Sequence, residues 1–223
     1  MPTLSERLAA MREKTATFLK PEIAQLLERH TDELRAPGAN LHPRQAGDIA
    51  PAFSLQDLDG NLISSAELLA RGPLVVSFYR GTWCPFCNEE LKALNESYED
   101  FRRLGASLVA ITPQSAASAN AYRSDHGIAF PMLVDPNADV AERFGLAYSF
   151  PEYLSELYRN VFQNDLARVN DAGTWRLPIP ARYVIARNGT IVNAEVNADY
   201  RYRPDPEATL AVVAALTTPA TSA

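Results

Sequence analysis

Cysteine is almost missing from this chain: 223 residues contain two, with three histidines, three methionines and two tryptophans. Two cysteines cannot staple a fold of this size, so an apolar core must hold it, and 47% hydrophobic residues can supply one. A closed zinc site needs four ligands, and His30, His42 and His126 have no finger-like spacing to the cysteine pair. Neither metal nor cofactor is expected. Positive charge is in deficit, 21 Lys and Arg against 27 Asp and Glu, giving a net charge of −6 and a pI near 5.2. Phosphate binding needs a basic footprint, so nucleic acid is excluded as the main partner. No apolar run approaches the ~18 residues of a membrane span. The opening "MPTLSERLAAMREKTATFLK" is charged throughout and lacks the apolar stretch of a secretory signal. A cytoplasmic protein without a membrane partner is expected.

What is present reads as three regions. Residues 1–40 form a helical extension of two helices, Leu4, Leu8 and Met11 recurring in the first and Ile23, Leu26, Leu27 and Leu34 in the second. Thr3 and Ser5 are cap candidates, and Pro21 suits the first position of the second helix. The extension packs on its own domain or serves a homodimer. After the Pro- and Gly-containing linker "APGANLHPRQAGD", residues 47–216 alternate buried apolar runs with amphipathic segments. "PAFSLQDLDGNLIS" reads as two short strands around a turn, "PLVVSFY", "ASLVAIT" and "FPMLVD" as buried strands, and "RYVIARNGTIVNAEV" as a hairpin turning at Asn188-Gly189. Helices are expected after Cys84 (with Leu91, Leu94, Tyr98 and Phe101 on one side), over 115–126, over 137–145 and over 206–216. Residues 149–177 break the rhythm and read as a helical insertion. The fold class is α/β, a central mixed sheet flanked by helices. "TTPATSA" closes the chain as a flexible tail over 217–223.

Both cysteines lie in "FYRGTWCPFCNEEL", directly after the first buried strand. A cysteine opening a helix sits on the positive end of the helix dipole, where unpaired N–H groups favour a thiolate. The i, i+3 spacing puts Cys84 and Cys87 on one face, close enough to form a disulfide, so one can attack and the other resolve. Pro85 suits the first helical turn, and Trp83 packs beside the site.

"TWCPFC" after "VVSFY" resembles the thioredoxin-fold superfamily, and residues 47–196 are similar to its AhpC/TSA, or redoxin, branch. "GDIAPAFSLQDLDGNLIS" resembles the opening of that family and "FPMLVDPNADVAERFGL" its later strand-helix segment. Peroxiredoxins carry a Pro-x-x-x-Thr-x-x-Cys motif with a Glu three residues on. Aligned here, the motif Cys falls on Cys87 and the Glu on Glu90, while Arg80 stands at the Pro position and Cys84 at the Thr position. The pattern resembles the CxxC-containing subgroup related to the PrxQ-type branch. "LPIPARYVIARNGTI" is similar to the segment in which thioredoxin-fold proteins place a cis-proline facing the cysteines, which implies a cis Ile179–Pro180 bond. Arg182, two residues on and on the same strand face, is a candidate for the family's site arginine, and Arg80 is the nearer cation.

The resemblance implies a thiol peroxidase. A peroxide is reduced by Cys87, the sulfenic acid condenses with Cys84, and thioredoxin or a similar dithiol resets the disulfide, with Arg80 and Glu90 completing the site. The position of Cys84 nearest the helix N-terminus argues the opposite order. A thioredoxin-like disulfide oxidoreductase led by Cys84 is the second reading, and a redox sensor or interaction module without turnover the third.

Overall fold

The computed structural model describes residues 2–217. Helices α1 (Leu4–Phe18) and α2 (Pro21–Arg35) come first, then β1 (Ser54–Asp57), β2 (Leu62–Ser64), α3 (Ser65–Arg71) and β3 (Leu74–Phe78). The chain continues through α4 (Pro85–Glu96), α5 (Tyr98–Arg103), β4 (Ser107–Thr112), α6 (Ala116–Asp125), β5 (Met132–Val134) and α7 (Asp139–Arg143). It ends with β6 (Ala147–Ser149), α8 (Glu152–Asn160), α9 (Leu166–Val169), β7 (Arg176–Pro178), β8 (Ala181–Ile185), β9 (Ile191–Val196) and α10 (Pro206–Thr217).

One sheet runs β2-β1-β5-β4-β3-β8-β9. Its β3-β4-β5 interior is parallel, and the pairs around it are antiparallel. β3 is the continuous apolar run that marked a strand covered on both faces. Its side chains alternate. Leu74, Val76 and Phe78 enter a core with Phe144, Phe150 and Tyr183, and Val75 and Tyr79 enter a second core with both cysteines, Leu91, Phe101 and Val213.

The extension seals the second core. Thr3 caps α1 reciprocally with Glu6, and Leu4 and Leu8 are buried against the core that holds α4. Polar ties frame this seat: Ser5 to Asp205 at 2.6 Å, Arg7 to Glu96 at 3.1 Å, Arg35 to Asp199 at 3.0 Å and Arg201 to Glu28 at 2.8 Å. The Arg7–Glu96 and Arg201–Glu28 pairs are solvent-accessible and contribute about 0–1 kcal/mol each, so in α1 the two buried leucines, at roughly 1.5–3 kcal/mol each, carry most of the seating.

Four details differ from the sequence reading. Residues 149–177 are not wholly helical: their ends pair as a two-stranded antiparallel ribbon, β6 with β7, because Tyr148 and Leu177 are apolar residues facing each other in register. The helix after the cysteines breaks at Ser97, whose ψ of 2° is non-helical, into α4 and α5. α3 was not foreseen in its short polar-apolar segment. The Ile179–Pro180 bond is not cis, since no peptide bond among the described residues is. Here Pro178 pairs with Ala147 while Ala181 pairs with Phe78, and Ile179 N–H donates to Leu146 O at 2.8 Å, so the chain runs extended from ribbon to sheet. Residues 218–223, most of the expected tail, lie outside the described residues. No helix among the described residues is long and apolar enough to cross a membrane.

Candidate active site

β3 ends at Phe78, and residues 79–84 make a tight loop into α4. Tyr79 N–H donates to Ile111 O at 3.0 Å, still in sheet register. Gln114, just past β4, then grips the loop twice: Thr82 N–H donates to its Oε1 at 2.7 Å, and its Nε2 donates to Thr82 Oγ1 at 3.0 Å. Gly81 has φ of 149°, and a Cβ there would stand 2.3 Å from Trp83 Nε1. Gly81→Ala should therefore displace Trp83, lower stability by about 1–3 kcal/mol and shift the tryptophan emission. An unchanged spectrum and melting curve would show that the loop absorbs the methyl group.

Cys84 caps α4 and Cys87 ends its first residue triplet. The two are free and lie 3.5 Å apart. Both are enclosed, Cys84 at 2% exposure and Cys87 at 0%. They differ in what they face. Cys84 lines a cavity of about 410 Å³ bounded by Thr15 of α1, Leu19 just past the end of that helix, Leu27 of α2, and Trp83, Tyr158 and Tyr200. Cys87 is absent from that wall and is fully buried in the second core.

Each sulfur has its own arginine. Arg80, 1% exposed, donates from Nη1 to Cys84 Sγ at 3.7 Å and from Nη2 to Tyr158 Oη at 2.9 Å. Its guanidinium carbon lies 4.1 Å from the Tyr200 ring centre and 4.8 Å from that of Trp83, an aromatic cage. Arg203 donates from Nη2 to Cys87 Sγ at 3.4 Å and from Nε to Glu90 Oε2. Arg182 does not touch a sulfur. It donates to Glu90 Oε1 at 2.7 Å, to Thr209 Oγ1 at 3.1 Å and to Pro204 O at 3.1 Å. Ser77, paired with Arg182 across β3 and β8, adds a 3.3 Å hydrogen bond to Glu90 Oε1. Glu90 is thus held by two guanidinium groups, which keep its carboxyl below the usual range despite burial.

The electrostatics separate the cysteines. Burial pushes the Cys84 thiol up, but the Cys87 side chain, then Arg80, then Arg203 outweigh it and bring Cys84 down to about 5. Burial drives Cys87 well above the thiol range, and its neighbour's charge adds to that. Geometry gives the same order. Arg80 has no carboxylate partner among the described residues and is free to hold a thiolate, whereas Arg203 already shares Glu90.

The candidates from the sequence fall into two groups. Cys84, Cys87, Arg80, Trp83 and Glu90 are brought together. Pro180 and Arg182 line a second cleft of about 200 Å³ with Arg203, and Arg182 joins the first group through Glu90 without reaching a sulfur. Sequence reasoning missed Arg203, Tyr158, Tyr200 and Gln114. Arg203 and Tyr200 lie in "ADYRYRPD" beyond the hairpin, where alternating Tyr and Arg were the one available signal. His30 is 5% exposed against Tyr148 and Phe150, and burial with Arg80 nearby lowers it to about 4, so at ordinary pH it is neutral and too weak a base to take a thiol proton.

A model of the AhpC/TSA family matches residues 46–194. A Mycobacterium tuberculosis protein provisionally named a peroxiredoxin is 29% identical over 151 residues, which covers 68% of this chain and 84% of that one. Peroxiredoxin Q of Oryza sativa subsp. japonica chloroplasts is 33% identical over 100 residues, 45% of this chain and 46% of its own length. The crystal structure of peroxidoxin BcpB from Mycobacterium tuberculosis superposes with a TM-score of 0.61 at 20% identity, over 78% of this chain and 99% of that one.

Proposed function

The chain belongs to the AhpC/TSA family, and on that premise we propose that its two cysteines run a thiol peroxidase cycle in which Cys84 attacks and Cys87 resolves. Thiol peroxidase chemistry fits the pair: two free sulfurs at a strand-to-helix junction, each with a guanidinium donor. The observation that carries the order is the cavity, which reaches Cys84 and not Cys87. The Cys84 thiolate attacks the terminal peroxide oxygen, the O–O bond breaks, and the alkoxide or hydroxide leaves and takes up a proton. Arg80 N–H groups stabilise the charge that develops on the leaving oxygen. The Cys84 sulfenic acid then condenses with the Cys87 thiol, forming the disulfide and releasing water. A thiol reductant restores the pair.

The family alignment gives the attack to Cys87, with Glu90 in register and Arg203 on its sulfur. Single substitutions separate the two orders. After one equivalent of peroxide, trapping with a dimedone probe and peptide mass spectrometry should label residue 84 in Cys87→Ser and leave residue 87 of Cys84→Ser unlabelled. Label on residue 87 in Cys84→Ser, with none on residue 84 in Cys87→Ser, restores the alignment order. No label in either, with no disulfide in the wild type, removes the peroxidase.

The disulfide oxidoreductase reading also begins at Cys84, and the enclosure of that sulfur weighs against it. A protein disulfide would have to reach past Leu19, between α1 and α2, and Leu27 of α2, which wall the cavity.

A further inference from the structure

The second core holds an unusual charge inventory. Arg80, Arg182 and Arg203 are all buried around the cysteines, and Glu90 is the buried carboxylate among them. Arg182 and Arg203 share that carboxylate. Arg80 has aromatic faces, one tyrosine hydroxyl and the Cys84 sulfur, and no carboxylate among the described residues lies within ion-pair distance. In the reduced protein a Cys84 thiolate supplies the missing anion. In the disulfide neither sulfur carries charge, and Arg80 becomes a buried cation without an anion, left with the Tyr158 hydroxyl and the ring faces of Trp83 and Tyr200. A buried ion left without its counter-ion is costly.

We infer that Arg80 makes Cys84–Cys87 an oxidising couple, one that a simple monothiol such as glutathione can reduce through the cavity, without a strongly reducing protein dithiol. This reading rests on the proposed cycle for its biological use, although the couple can be measured without peroxide. The warrant is general: a dithiol pair is oxidising when its reduced form is selectively stabilised. Here one residue acts in both directions, stabilising the thiolate and destabilising the disulfide.

The steps balance. A monothiolate attacks the Cys84 sulfur, the one that lines the cavity, and the Cys84–Cys87 bond breaks with Cys87 leaving and taking up a proton. A second monothiolate attacks the sulfur of the bound monothiol, releasing the external disulfide and the Cys84 thiolate. Two electrons pass from two monothiols to the protein. The leaving group of the last step is the low-pKa thiolate beside Arg80, and a low-pKa thiol leaves faster.

The test is an equilibrium titration of the full chain in glutathione and glutathione disulfide mixtures at pH 7, quenched by alkylation and read by intact mass. The wild type should reach half reduction within these mixtures. Arg80→Gln should shift the equilibrium at least tenfold toward disulfide, about 30 mV. Arg80→Lys, which keeps the cation, should lie nearer the wild type than the Gln variant. The inference is overturned if the wild-type disulfide resists glutathione and yields only to dithiothreitol, if Arg80→Gln titrates within twofold of wild type, or if it shifts the other way. Should the Gln variant fail to fold, the wild-type midpoint and the Lys variant decide. Failure of the peroxidase reading shows separately, as no disulfide formation on adding peroxide to the reduced wild type.

Discussion

Glu90→Ala is expected to lower the stability of the reduced protein by about 3–5 kcal/mol. The carboxylate receives Arg182 at 2.7 Å and the Arg203 Nε–H, and all three groups are at most 2% exposed as side chains. Attraction inside such a triad roughly offsets the desolvation of its members, but deleting the anion leaves two cations with no compensation. At roughly 2–4 °C per kcal/mol for a chain of this size, the melting temperature should fall by about 10 °C. Glu90→Gln preserves shape and one acceptor, so its loss should be smaller but of the same sign. The second readout is chemical. Arg203 also donates to Cys87 at 3.4 Å, so freeing it from Glu90 should bring the Cys87 thiol down and speed its alkylation in the Cys84→Ser background. A melting temperature within 2 °C of wild type for Glu90→Ala would mean that the triad is not the electrostatic keystone of this core.

The triad also shows what sequence can and cannot convey. β3 was legible because a strand covered on both faces has to be apolar throughout, and the helix after it because a CxxC pair at such a junction caps the next turn. Arg80 was legible by its nearness to the cysteines, and Glu90 by the family motif that places a Glu three residues after a Cys. Arg203 was not, because it reaches Cys87 from a loop 116 residues away, and no local periodicity encodes a contact closed by the tertiary fold. Arg182 was correctly placed on a strand face, but its partner depends on the register of β8 against β3, which sets it beside Ser77 and under Glu90. Pro180 failed for a related reason. Its isomer is decided by the ribbon β6–β7 feeding straight into β8, and that ribbon was hidden inside a segment whose composition reads as helix. The role of the extension was invisible as well. Leu27 looks like an ordinary stripe residue and Leu19 carries no pattern, yet both wall the cavity at Cys84.

The reduced protein should grow more stable as pH rises from about 5 to 8.5, and Cys84→Ser should lose that gain. Cys84 is depressed to about 5 in the fold, while an unfolded thiol sits near 8.5. Between those values the unfolded chain binds the proton and the folded chain does not, so stability rises with pH. The contribution is fully present above the unfolded value and is lost as pH falls through about 5. Cys87 has the opposite sign. Its folded value is raised, so above the unfolded thiol value the fold retains a proton that the unfolded chain has released, and stability declines again. From these two groups the reduced wild type should therefore show a maximum near pH 8.5. Buried His30, lowered to about 4, adds its own rise between about 4 and 6.5, but it does so in wild type and variant alike and cancels in their difference. Around the thiolate stand Arg80 and Arg203 as cations and Tyr148, Tyr158 and Tyr200 as hydroxyls, the last three raised above the ordinary phenol value chiefly by burial and neutral throughout the window. Urea unfolding at fixed excess phosphine reductant, at pH 6, 7 and 8, gives the difference directly. It should widen by about 1.4 kcal/mol per pH unit, about 3 kcal/mol over the series. A difference constant to within about 0.5 kcal/mol would place the thiolate elsewhere, and the charge balance that makes the disulfide oxidising would go with it.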